Sequence, residues 1–235
     1  MFDKYSEYGA YHWDDIEINS IRDLISRSVP TMTRYDKILK FIPKKARIIA
    51  DIGCGDGALT YLLAKEKHVE QVYGCDTDKK GIELSVDKVR SLPHARKITF
   101  LNESFEACKF QEQSIDAITM CDVIEHIEEI EPLLLEIKRV GKRGGVFIST
   151  TPLKREDGDK WDEHHVFEYD KTSLMQVCSR HFPQTRVFEF TPTLVYNQYR
   201  KFKYFFNLSY LMGLNLLASS FEGIDHTMLL SVSEL

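Results

Sequence analysis

The chain has 235 residues, 43% hydrophobic and 29% charged, which suits one ordinary domain with a full core and a soluble surface. A net charge of −5 argues against a nucleic-acid partner. Five scattered cysteines without a CxxC argue against a zinc ribbon or disulfide framework, and no secretory leader or apolar run of ~20 residues is evident, so a cytoplasmic protein without a membrane span is expected.

Residues 1–30 concentrate aromatics and acids, with Tyr5, Tyr8, Tyr11, His12 and Trp13 ahead of Asp14 and Asp15. A helix is predicted over 33–41, ended by Pro43. The apolar run 47–52 enters a Gly-rich loop, as a strand buried on both faces of a parallel sheet does. Residues 58–67 place Leu59, Leu62 and Leu63 on one helical face. A second strand is predicted over 71–76, and Asp78 is positioned to cap a helix carrying Ile82, Val86 and Val89. Further strands are predicted over 97–101 and 115–120, followed by a helix over 132–140. Gly144-Gly145 is read as a turn into a fifth strand at 146–150. A helix within 164–182, a strand at 186–190, an aromatic-rich insertion at 194–220 and a closing strand at 226–232 complete the chain. This alternation predicts an α/β, Rossmann-like, doubly wound and mostly parallel seven-stranded sheet.

The densest signal is Asp51-Ile52-Gly53-Cys54-Gly55-Asp56-Gly57 between a strand and a helix. Its glycines allow positive φ and close approach of a ligand, and the helix N-terminus offers free N–H groups to an anion. Asp76, at the tip of the next strand, is placed to hold both hydroxyls of a ribose. A dinucleotide fits poorly, because the third glycine comes one residue earlier than G-x-G-x-x-G requires. Asp51 is placed to organise the loop and the amino-acid end of S-adenosylmethionine. Arg34 and Tyr35, in the helix before the first strand, can reach that cofactor's carboxylate.

Through this loop, Gly74-Cys75-Asp76, Asp122-Val123-Ile124-Glu125-His126 and Gly144-Gly145, the chain resembles the class I S-adenosylmethionine-dependent methyltransferases over roughly 34–152. The resemblance implies that Gly53, Cys54 and Gly55 line the methionine moiety. It likewise implies that Asp76 and Thr77 bind the ribose, Glu103 and Ser104 flank the adenine, and Met120 and Cys121 lie beside the sulfonium. Residues 1–30 are then expected to form a lid or cap, 31–193 the cofactor-binding core, 194–220 a substrate-side helical insertion and 221–235 the closing strand.

Asp122–His126 lies where open α/β sheets place their ligands. One reading gives Glu125 and His126 a structural role around the cofactor. The other gathers Asp122, Glu125 and His126 on one helical face, with His165 or His164 as a further ligand, to bind Mg²⁺ or Mn²⁺. Here the chain is similar to the ubiquinone-biosynthesis O-methyltransferases and, more weakly, to the small-RNA 2′-O-methyltransferases. Both carry Glu-x-x-Glu-His where this chain begins with Asp122. His165, His164 and His126 are the candidate general bases, with Glu125 beside them. The expected activity is methyl transfer to an oxygen, or secondarily a nitrogen, of a small metabolite: a sugar, a phenol or quinone precursor, or a phosphorylated or phosphonate compound. The segment 196–203 mixes aromatics with cations suited to an anionic substrate. An RNA ribose methyltransferase and a non-catalytic binding module are the alternatives, and a homodimer is the assembly kept open.

Overall fold

The computed structural model describes residues 4–17, 28–191 and 227–235, together with 204, 205, 207, 208 and 212. Its centre is β1 (Ile48–Ile52), buried along all but its first residue, which is why an apolar run without alternation forms it. Strands β2 (Gln71–Cys75) and β3 (Ile98–Leu101) lie on one side of it, in parallel. On the other side come β4 (Ile115–Cys121) and β5 (Gly141–Pro152), also parallel. Antiparallel β7 (Met228–Glu234) then inserts between β5 and the edge strand β6 (Thr185–Phe190). The seven-stranded order is β3-β2-β1-β4-β5-β7-β6, and the sheet is mostly parallel with seven strands, as the alternating pattern predicted. Strand order reverses between β1 and β4, so a crevice opens beyond their carboxyl ends.

Helices cover both faces. Short α1 (Lys4–Tyr8) and α2 (Trp13–Ile16) precede α3 (Val29–Phe41), which starts earlier than its periodicity suggested because Ser28 caps it. The caps are chemical: Asp78 accepts from Gly81 N at 3.0 Å and starts α5 (Lys79–Val89). Helix α4 (Ala58–Lys65) follows the glycine loop. Helix α6 (Ile130–Val140) buries Leu133, Leu134 and Ile137, and α7 (Lys171–Ser179) begins with a reciprocal Asp170–Ser173 capping box. One core layer joins Trp13, Ile38, Leu59 and Leu63 to the sheet, and the other joins Ile118, Leu134, Phe147 and Phe182.

Gly144-Gly145 is not the predicted turn. Strand β5 already pairs at Gly141, opposite Ile115, and the register then jumps to Ala117 opposite Val146. The glycines form a bulge inside the strand, where Gly144 has φ 73° and a Cβ on Gly145 would meet the Asp116 carbonyl at 2.6 Å. The insertion predicted at 194–220, with its 196–203 segment, lies outside the described residues apart from the five isolated positions. No described helix is long and apolar enough to cross a membrane.

Candidate active site

Beyond β1 the backbone passes through the left-handed region at Gly53 (φ 65°), Gly55 (φ 55°) and Gly57 (φ 79°). A Cβ on Gly53 would stand 2.3 Å from the Val123 side chain, so no larger residue fits the loop there. Asp51 holds the loop's base. It is buried, and its two carboxylate oxygens accept the Thr60 and Thr119 hydroxyls, each at 2.7 Å. Burial pushes its pKa up to about 6, against the pull of those two hydroxyls. Asp76 closes the loop from β2, accepting from Gly55 N at 2.7 Å and Asp78 N at 2.8 Å.

The N-terminal helices lie across this loop. A Cβ on Gly55 would meet the Tyr5 hydroxyl at 1.8 Å, and one on Gly81 would meet the Tyr5 ring at 3.2 Å, so that ring stands between loop and α5. Asp56 is the latch. Its Oδ2 accepts from His12 N at 3.0 Å, the His12 ring contacts both carboxylate oxygens at 3.2 Å, and Trp13 Nε1 donates to its carbonyl at 2.6 Å. Trp13 itself is fully buried against Tyr61, with ring centroids 5.3 Å apart.

The opposite wall starts at Asp122, which has φ 54° and therefore leaves the chain path that a helix would take. Its carboxylate is held by Arg34 Nη1 at 3.0 Å and the Thr150 hydroxyl at 2.8 Å. Only Ile124–His126 forms a helical turn, of the 3₁₀ kind. The expected face of Asp122, Glu125 and His126 is therefore not built. Glu125, His126 and His165 instead bring ligating atoms within 4.8 Å of one another, without Asp122. Glu125 is buried and accepts the Thr151 hydroxyl at 2.9 Å. Burial, then the neighbouring Asp122 charge, raises its pKa well above the carboxylate range.

His126 and His165 face each other edge to face with ring centroids 5.0 Å apart. Each has Nδ1 engaged by the protein: His126 with the His164 carbonyl at 3.1 Å, His165 with Glu168 Oε1 at 2.7 Å. That leaves Nε2 of both rings for a ligand. Burial lowers the His126 pKa, and His165 beside it adds to the lowering. His164 contributes its carbonyl, and its own ring is outside the cavity. Adjacent residues on this irregular segment face different ways, which is why the sequence left the two histidines undivided. Glu168 was missed as a site residue. Its only signal was an acid three positions after a histidine.

One cavity of about 240 Å³ joins the two walls. Of the predicted cofactor residues it takes Arg34, Asp51, Gly53, Cys54 and Cys121; on the far side it takes Asp122, Glu125, His126 and His165. Lys4, Tyr5, Tyr11 and His12 roof it. Gly55, Asp76, Thr77, Glu103 and Ser104 sit outside it on the adjoining loop and strand tips, and the Met120 side chain is in the core. Arg34 spends one nitrogen on Asp122, yet its Nε and the Tyr11 hydroxyl are buried without partners. Two orphaned donors on residues that line one cavity suit an anionic ligand group such as a carboxylate.

Residues 50–149 match the family model described as a methyltransferase domain. A demethylmenaquinone methyltransferase of Bacteroides fragilis is 30% identical over 154 residues, which cover 63% of this chain and 63% of that one. A ubiquinone biosynthesis O-methyltransferase of Vibrio cholerae is 29% identical over 151 residues, covering 58% and 60%. The matches thus span about three fifths of these relatives' length. Among solved structures, a Haemonchus contortus phosphoethanolamine N-methyltransferase 2 in complex with S-adenosyl-L-methionine superposes with a TM-score of 0.66 at 18% identity. It covers 99% of this chain and 58% of that one, a likeness of fold.

Proposed function

We infer that this chain is an S-adenosylmethionine-dependent methyltransferase that transfers a methyl group to an oxygen of a small metabolite, of which a quinone-type phenol is the leading candidate. The single observation carrying this reading is the cavity that sets the glycine loop and Asp51 opposite two histidines with free Nε2 atoms. When bound, S-adenosylmethionine supplies an electrophilic methyl carbon. Gly53 and Cys54 would hold its methionine end, with Arg34 Nε and the Tyr11 hydroxyl available to its carboxylate. Asp76, beside the loop, would take the ribose hydroxyls, and the exposed Glu103 and Ser104 would border the adenine. His165 Nε2 would receive the acceptor's hydroxyl proton, and His126 would confine the acceptor against it. Tyr5, Tyr11 and the latch at Asp56 would exclude water during transfer. Both relatives' names favour a quinone-type ring among the metabolite classes, and that of the ubiquinone biosynthesis O-methyltransferase favours oxygen as the atom methylated.

The test begins with calorimetry. S-adenosylhomocysteine should bind, and Asp76→Ala should weaken it by ~1–3 kcal/mol, because ribose hydroxyls lose an acceptor. Binding of NAD in its place would overturn the assignment. Turnover is then measured on a panel of catechols, sugars and phosphorylated amines, with alanine replacements at His126, His164 and His165. His165→Ala should lose most and His164→Ala least, with cofactor affinity unchanged.

A second reading uses a divalent ion held by Glu125, His126 and His165, because these alone among the described residues gather three ligating groups. With Asp122 tied to Arg34, the set is one ligand smaller than expected. Full turnover after exhaustive chelation would remove this reading and leave the base role standing.

A further inference from the structure

We propose that Glu168 is a positioning residue that fixes His165 as its Nδ1–H tautomer, reserving the Nε2 lone pair for the cavity. The inference rests on the base role given to His165 above for its catalytic meaning, though not for its geometry. Both side chains are almost completely enclosed, at 6% and 5% exposure, and Nδ1 and Oε1 are 2.7 Å apart. A buried carboxylate needs donors, and the same Oε1 also accepts from Trp161 N at 2.6 Å. An ionised carboxylate only accepts, so the nitrogen facing it must carry the proton. In water a neutral imidazole favours the opposite tautomer, with the proton on Nε2. Glu168 reverses that preference through a short, charge-assisted bond.

The backbone around His165 leaves the ring little room to turn away from this partner. His165 N donates to the Asp162 carbonyl at 3.2 Å, and Lys160 Nζ donates to the His165 carbonyl at 2.6 Å. Directly afterwards, Val166 N and Phe167 N both donate to the Glu125 carbonyl, at 2.8 and 3.1 Å. The segment 160–168 is thus sewn to itself through Glu168 and to the β4 side through Glu125. Its histidine enters the cavity with one nitrogen spoken for. The neighbouring His126 has the same arrangement with a neutral carbonyl at Nδ1, so the two rings differ in the charge behind them. That difference singles out His165 as the ring whose tautomer a buried acid fixes.

The test is heteronuclear NMR on protein labelled with ¹⁵N-histidine, with His165 assigned by its loss in His165→Ala. In the wild type, His165 should show a protonated Nδ1 and an unprotonated Nε2 at neutral pH. Glu168→Ala should move it to the Nε2–H form or to an exchanging mixture. Turnover should fall by roughly 10- to 100-fold at unchanged S-adenosylhomocysteine affinity. Glu168→Gln, whose amide oxygen still accepts, should keep the tautomer and lose less turnover; it carries the comparison should the alanine variant not fold. A wild-type His165 that is Nε2–H or doubly protonated at neutral pH would overturn the inference, as would an unchanged tautomer in Glu168→Ala. The base role fails separately: if His165→Ala keeps full turnover, the proton acceptor is elsewhere while the tautomer result stands.

Discussion

Replacing Asp51 with asparagine should make the protein more stable as pH rises, relative to the wild type. Asp51 is fully enclosed, and burial lifts its pKa from the ordinary 3.8 to about 6. A folded-state pKa above the unfolded one means that the native state holds a proton the unfolded chain has released. Stability is then lost as pH climbs from the lower value through the higher one. At ~1.36 kcal/mol per pKa unit, the gap costs about 3 kcal/mol once the group is ionised in both states. Between about pH 4.5 and about pH 7 the loss is roughly 2 kcal/mol, since ionisation of the unfolded chain has begun at the lower pH. Asparagine has the same shape and does not titrate. Urea unfolding of both proteins across this range gives the difference in stability. It should grow by roughly 2 kcal/mol in favour of Asp51→Asn, whatever constant offset the altered bonds to Thr60 and Thr119 introduce. A difference that stays flat with pH would refute the argument, showing that Asp51 ionises in the fold as easily as in water. Cofactor affinity should fall in the same variant, which would explain why a destabilising acid occupies this position.

Asp56→Ala should free the N-terminal helices by leaving His12 N and its ring without an acceptor, at a cost of ~1–3 kcal/mol; faster proteolytic cleavage before residue 17, with an unchanged sheet by circular dichroism, is the expected outcome. Trp13→Ala should cost roughly 3–5 kcal/mol in urea unfolding, because it empties a fully buried site against Tyr61. Arg34→Met should cost roughly 2–4 kcal/mol by stranding Asp122, and Asp122→Asn in the same protein should recover part of that loss. Gly55→Ala should sharply reduce S-adenosylhomocysteine affinity in calorimetry, since a methyl group at φ 55° both strains the loop and displaces Tyr5.

The sheet was legible because its signals are local. Ile49 and Ala50 are buried on both faces, Asp78 caps the helix it precedes, and the glycines of the cofactor loop adopt the backbone that only glycine adopts freely. The same glycine logic misled at Gly144-Gly145, because a bulge and a turn ask for the same residue and only the pairing of Gly141 with Ile115 separates them. The site was legible as a set of neighbours and illegible as geometry. A positive φ at Asp122 has no mark in its residue type, yet it removes that carboxylate from the expected ligand set and gives it to Arg34. Thr60 and Thr119 hold the Asp51 carboxylate, and Glu168 holds the ring of His165, the proposed base. Thr119 reaches Asp51 across 68 residues of chain, a contact that no local pattern records. Glu168 is close in sequence to its partner, but an acid near a histidine is too common to read without burial.

The place of β7 has a consequence for how a cell makes this protein. β5 must wait for its neighbour, since the paired ends Pro152 and Met228 are about 75 residues apart in sequence. At about 5–20 residues per second, a ribosome leaves that edge open for roughly 4–15 s after β5 has been synthesised. Through that interval the strand that carries Phe147 and Ile148 presents an unpaired backbone edge to other nascent chains. Yield should therefore depend on chaperone supply and growth temperature more than the finished protein's stability would suggest, and a slower-translating stretch across 191–227 would lengthen the exposure.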